Sequence, residues 1–148
     1  MFTNILVPTD FSDHATIALR LAIKLARESK GRITLLHVGL APGVGVYDLG
    51  VYSVPMTDTL IAMHEQAAKE QKHLLDRIAR EEIPDDVPWQ AIAVEGFAPE
   101  EIVAQAERGK HDVIVMASHG RTGLARAFLG SVAERVLRHS TVPVLVTR

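Results

Sequence analysis

Val113-Ile114-Val115-Met116-Ala117-Ser118-His119-Gly120-Arg121-Thr122-Gly123, with Gly130-Ser131 after a short Leu/Arg/Phe segment, is the stretch on which the reading of this chain turns. Val113 to Met116 is a short apolar run of the kind that forms a buried strand, and a helical pattern starts at Ser131. A glycine-rich connection between a strand and a helix N-terminus can hold a phosphate. Glycines admit backbone N–H groups close to an anion, and the first helical amides point at it. Ser131 with Glu134 three residues on has capping-box spacing, which makes Ser131 the expected helix cap. A surface loop closed by turn glycines is the alternative. Both readings contain a strand followed by a helix, and the rest of the chain repeats that unit.

At 148 residues the chain fits one domain, 1–148, large enough to bury a core without a disulfide or metal staple. It has no cysteine, which excludes disulfides and thiolate metal sites and suits a reducing, cytoplasmic setting. No apolar run approaches the roughly 20 residues that span a bilayer, and Met1-Phe2-Thr3-Asn4 lacks the basic-then-apolar order of a signal peptide. The net charge of -2 gives no reason to expect nucleic acid or an anionic membrane as partner. Its distribution is uneven: residues 118–148 hold five arginines against the single acid Glu134, a balance of +4, which leaves -6 for residues 1–117. Positive charge therefore gathers around the glycine-rich loop, where an anion would sit.

Taken in order, Asn4 to Thr9 reads as a buried first strand closed by Pro8. Ser12 or Asp13 then caps a helix whose expected inward face is Ile17, Ala18, Leu21, Ala22, Leu25 and Ala26, and Gly31 stops it. Arg32 to Val38 is a second strand. Residues 39–57, with four glycines and two prolines, form a connection longer than most in compact domains. Gly43-Val44-Gly45 is not a dinucleotide fingerprint, because Asp48 stands where the third glycine belongs. A long helix is expected from an Asp58 cap to about Glu82, with Leu60, Met63, Ala67, Leu74, Leu75 and Ile78 inward and Pro84 after it. Pro88 to Glu95 is a third strand, and Pro99, Glu100 and Glu101 open a helix that Gly109 ends. His111 to Ala117 is the fourth strand; Ser131 to His139 is the last helix, with Val132, Val136 and Leu137 inward. Thr141 to Thr147 is a fifth strand, and Pro143 assigns it to a sheet edge.

Five strands alternating with four helices make an α/β chain with a doubly wound parallel sheet. In such sheets ligands bind beyond the carboxyl ends of the strands, where the winding reverses. Pro8-Thr9-Asp10 and Ala117 to Gly120 are the polar or glycine-rich ends here, and they share one crevice if their strands are neighbours.

Ile5-Leu6-Val7-Pro8-Thr9-Asp10, Leu35-Leu36-His37-Val38, Leu129-Gly130-Ser131-Val132-Ala133-Glu134-Arg135 and Val142-Pro143-Val144-Leu145-Val146 together resemble the universal stress protein family over nearly the whole chain. The ATP-binding branch of that family carries glycine, two residues, glycine, nine residues, then glycine with Ser or Thr. Gly120 and Gly130-Ser131 match the second and third elements, and Ala117 replaces the first glycine. The resemblance implies an adenine nucleotide alpha hydrolase-like fold with strand order 3-2-1-4-5, and ATP, with magnesium, as ligand. Pro8, Thr9 and Asp10 would flank the adenosine, and Val38 would offer backbone groups to the adenine edge. Met116 and Ala117 would line the ribose and phosphate side. Gly120 and Arg121 would lie by the phosphates, with Gly130, Ser131 and Val132 closing over them. It further implies a homodimer built by Val142 to Thr147, and a nucleotide-dependent sensor or regulator with little or no turnover, acting on an unidentified protein partner. A slow ATP hydrolase and a dimeric module that has lost ATP are the alternatives.

Other chemistry finds less support. His64 and His73 are nine residues apart on one helix and so face opposite ways. His37, in a strand, is expected to be a hydrogen-bonded core residue, and His14 and His139 to end helices. Ser118-His119-Gly120 matches only the second half of a hydrolase nucleophile elbow. No lysine follows Gly130 as a phosphate-loop motif requires, and Asp10 is the only carboxylate placed near a phosphate. It could help hold a divalent ion through water.

Overall fold

A computed structural model describes residues 1–41, 57–119 and 129–148. The elements run β1 (Asn4–Pro8), α1 (Asp13–Ser29), β2 (Arg32–Gly39), α2 (Asp58–Glu82), β3 (Trp89–Glu95), α3 (Ala98–Arg108), β4 (Val113–Ala117), α4 (Ser131–His139) and β5 (Val144–Thr147). All strand pairs are parallel and the order is β3-β2-β1-β4-β5, so β5 is at an edge as Pro143 indicated. The chain winds one way from β1 to β3 and the other from β4 to β5. The reversal falls between β1 and β4.

Two-residue alternation divides the strands between two cores. Ile5, Val7, Ile33, Leu35, Val113 and Val115 meet Ala18, Leu19 and Ala22 of α1 and Leu75 and Ala79 of α2. Leu6, Leu36, Ile114 and Met116 turn the other way onto Ile102 and Ala106 of α3 and Ala133 and Val136 of α4. Both faces are covered by helices, and this is why the central strands read as continuous apolar runs. At the other end of the sheet the Asp112 carboxylate accepts the N–H groups of Thr3 and Asn4, which fixes β1 beside β4.

Several local expectations are corrected. The buried stripe of α1 is Ala15, Ala18, Leu19, Ala22, Ile23 and Ala26, capped by Ser12, while Ile17 is 46% exposed. Alanines at 18, 22 and 26 bring this helix close to the sheet, and the stripe leans toward Leu19 and Ile23; Leu21 and Leu25 pack only partly. α2 is capped by the Thr57 side chain rather than Asp58, and Leu60, Met63 and Ala67 are exposed. Its 25 residues extend about 37 Å, whereas eight-residue β2 spans about 26 Å, so the helix overruns the sheet and only its second half buries Leu75 and Ala79. Leu137 of α4 is exposed as well, and Ala133 and Val136 take the inward positions. β4 and β5 begin two and three residues later than expected, at Val113 and Val144. Gly43 and Gly45 lie outside the described residues.

His111, before β4, is 7% exposed; its ring donates from Nδ1 to the Gln105 carbonyl at 3.2 Å. The ring occupies the space that a side chain at Gly109 would need, 2.2 Å from where that Cβ would stand. Burial pushes the imidazole below its ordinary value of 6.5, against the opposing pull of its hydrogen bonds to Gln105 and Ala106. The unfolded chain therefore binds more protons than the folded one as pH falls from 6.5 through the lowered value. Stability present above pH 6.5 is lost in that window. The urea midpoint should drop between pH 7 and pH 5, and His111→Asn, which keeps a donor for Gln105, should flatten the drop. An unchanged pH slope in the variant would assign the loss to other groups.

Candidate functional site

The strand ends at the β1–β4 reversal surround a cavity of about 340 Å³. That volume lies at the lower end of the range of small-molecule sites. Its apolar floor is Leu36, Ile102, Met116 and Ala133, and its polar wall is Thr9, Asp10, Ser118 and His119. Nine of the eleven site residues expected from sequence line it: Pro8, Thr9, Asp10, Val38, Met116, Ala117, Gly130, Ser131 and Val132. Gly120 and Arg121 lie outside the described residues. The lining positions outside those eleven are Ala15, Ala98, Ile102 and Ala133 from the helices, Leu36 and His37 from β2, and Ser118 and His119, which the sequence placed at the crevice without a ligand role. For His37 the signal was its place one residue before Val38 at a strand end.

The turn after β1 is tightly bonded. Thr9 N–H donates to the Leu36 carbonyl at 2.8 Å, so the turn starts from the β2 ladder. The Asp10 carboxylate accepts from the Ser12 N–H at 3.1 Å and the Ser12 hydroxyl at 2.6 Å. Ser12 Oγ in turn accepts the Ala15 N–H at 3.2 Å and so caps α1. One carboxylate thereby links the cavity wall to a helix start. The expected core role of His37 holds: the ring is buried, and its Nδ1 lies 2.9 Å from the Thr9 carbonyl.

Across the cavity, α4 is not capped by Ser131. Gly130 is the cap, and as a glycine it has no side chain to offer the first-turn amides. The shift by one residue has a cause distant in sequence: Gly130 N–H donates to the Ser118 carbonyl at 2.6 Å while the Gly130 carbonyl accepts the Glu134 N–H. Glu134 then lies one position too far along for a capping box and pairs with Arg138 at 2.7 Å instead. Ser131 becomes the first helical residue, exposed at the cavity mouth. The α4 N-terminus, whose cap residue has no side chain, presents the positive end of its dipole there. Ser118 is buried, with its hydroxyl 2.8 Å from His119 Nδ1.

The universal stress protein family model matches residues 1–148. The chain belongs to the universal stress protein family. A relative in Methanocaldococcus jannaschii, universal stress protein MJ0531, is 34% identical over 149 residues, covering 100% of this chain and 83% of its own. The solved structure of protein MJ0577 from the same organism superposes with a TM-score of 0.82 at 33% identity, over 99% of this chain and 96% of that one. A universal stress protein from Archaeoglobus fulgidus in complex with dAMP shares the fold at 23% identity and a TM-score of 0.61, covering 99% and 98% of the two chains. Among the described residues of this family member, no helix is long and apolar enough to cross a membrane.

Proposed function

We propose that this universal stress protein binds ATP in the cavity at the β1–β4 reversal. The supporting observation is the placement of the glycine-capped α4 N-terminus and the Asp10 turn on two sides of one cavity of about 340 Å³. The dAMP complex belongs to the Archaeoglobus protein and, at 23% identity, attests the fold. The assignment to ATP rests on this chain's cavity and motif. In the proposed pose Pro8, Thr9 and Asp10 flank the adenosine and the Val38 backbone meets the adenine edge. Met116 and Ala117 line the ribose side. The amides of Ser131 and Val132 face the phosphates, with Gly130 closing the wall and Gly120 and Arg121 adding contacts. Magnesium would be held chiefly by the phosphates, with Asp10 as the protein's carboxylate; bound there, it would neutralise phosphate charge.

In this reading the protein is a cytoplasmic homodimer joined through Val142 to Thr147, acting on a protein partner as a nucleotide-dependent regulator with little or no turnover. The edge position of β5 supports the dimer, since an open parallel edge is covered by pairing. Calorimetric titration of nucleotide-stripped protein with ATP and magnesium tests the site, with GTP as control. The expected result is saturable ATP binding near one per chain. At a hundredfold excess over the dissociation constant it should add about 2.7 kcal/mol of stability. Neither heat nor stabilisation would favour a family member that has lost ATP, for which Ala117 is the supporting feature. Steady phosphate release that vanishes in Asp10→Ala while binding survives would favour a hydrolase.

A further inference from the structure

Among the described residues three non-glycine positions have left-handed backbone: Phe11 at φ 67, Lys30 at φ 54 and Lys110 at φ 50. The lysines follow the ends of α1 and α3, where chains commonly adopt this conformation. Phe11 instead stands inside the turn from β1 to α1, and a bulky residue there is held against its own preference. Its ring lies 4.2 Å, centroid to centroid, from that of His37, tilted by 30°, and its N–H donates to Thr9 Oγ1 at 3.1 Å. His37 is 7% exposed, and because the Thr9 carbonyl can only accept, Nδ1 carries the hydrogen of their 2.9 Å bond. One buried imidazole thus grips the turn on both sides of Asp10, by a hydrogen bond to Thr9 and by ring contact with Phe11. Asp10 passes the constraint to Ser12 and so to α1.

We propose that His37 is a positioning residue for the nucleotide: it fixes the direction of the Asp10 carboxylate relative to the β2 end, where Val38 faces the base. This rests on the ATP reading above. A side chain that only filled the core would act on stability alone. A positioning residue acts on affinity, and acts through Asp10.

The test uses the full chain and titrates ATP with magnesium into wild type, His37→Phe, His37→Asn and Phe11→Leu, with His37→Phe repeated in an Asp10→Ala background. Amide exchange of Phe11 and Ser12 is followed without nucleotide. His37→Phe keeps a ring against Phe11 and removes the donor; it should weaken ATP about tenfold, the worth of one hydrogen bond. His37→Asn restores an N–H at the Nδ1 position and should recover at least about half of that loss on a logarithmic scale. With Asp10→Ala already present, His37→Phe should change affinity by less than about twofold, because coupled residues are non-additive. Exchange at Ser12 should quicken in His37→Phe. If His37→Phe does not fold, Phe11→Leu carries the same prediction of weaker ATP and faster exchange. An affinity within twofold of wild type, or an equal fall with and without Asp10, overturns the proposal. A wild-type chain that binds no ATP overturns the nucleotide reading itself, whereas wild-type binding with unaltered variants overturns the role of His37 alone.

Discussion

Gly130→Ala is expected to weaken ATP binding by at least about tenfold and Gly130→Trp to abolish it. The cause is steric. Gly130 has an ordinary φ of -61, which alanine adopts without strain. A Cβ added there would meet the Ser118 carbonyl oxygen at 2.8 Å and His119 Cα at 3.5 Å. Both are backbone atoms and cannot swing aside as a side-chain tip would. The 2.6 Å bond from Gly130 N–H to Ser118 must lengthen, and the start of α4 moves with it. In the proposed pose that shift would draw the Ser131 and Val132 amides away from the phosphates. Overpacking of this kind costs about 1–3 kcal/mol, so the alanine variant should remain folded by circular dichroism while losing affinity by calorimetry. Wild-type affinity in Gly130→Ala would show that the contact between Gly130 and Ser118 yields without moving the helix.

Leu6→Ala should lower stability by about 3–4 kcal/mol, read as a fall in the urea midpoint with an unchanged slope. Leu6 is fully buried on the central strand, and its cluster contains Leu36, Ile102, Ile114 and Met116. Those neighbours are held by β2, α3 and β4, so they cannot collapse fully into the space left behind. Since domains of this size are stable by only about 5–15 kcal/mol, the loss would be a large share of the total. Leu36, Ile102 and Met116 also form the cavity floor, so the variant should bind ATP more weakly as well. Ile17→Ala is the contrasting case: at 46% exposure it should change stability by less than about 0.5 kcal/mol. A large effect at Ile17 would restore the inward face expected from the helical pattern alone.

What sequence pattern conveyed, and what it did not, follows from the range of the interactions. The parallel sheet was legible because runs such as Ile5 to Val7 and Val113 to Met116 need helices on both faces. The meeting of Pro8, Thr9 and Asp10 with Met116 and Ala117 followed once β1 and β4 were neighbours. Ser131 was misplaced by one residue because the cap of α4 is set by a carbonyl at Ser118, outside any local motif. Leu60 and Met63 fit a helical stripe, yet a stripe does not say where the sheet beneath it stops. His37 read as core, and it is core; its second role appears only when Thr9 and Phe11 fold back over it.

The bond between Gly130 and Ser118 also couples two elements of the fold. Ser118 follows β4 and Gly130 caps α4, and the two meet backbone to backbone at 2.6 Å although twelve residues apart in sequence, so a shift at the end of β4 reaches the start of α4 directly.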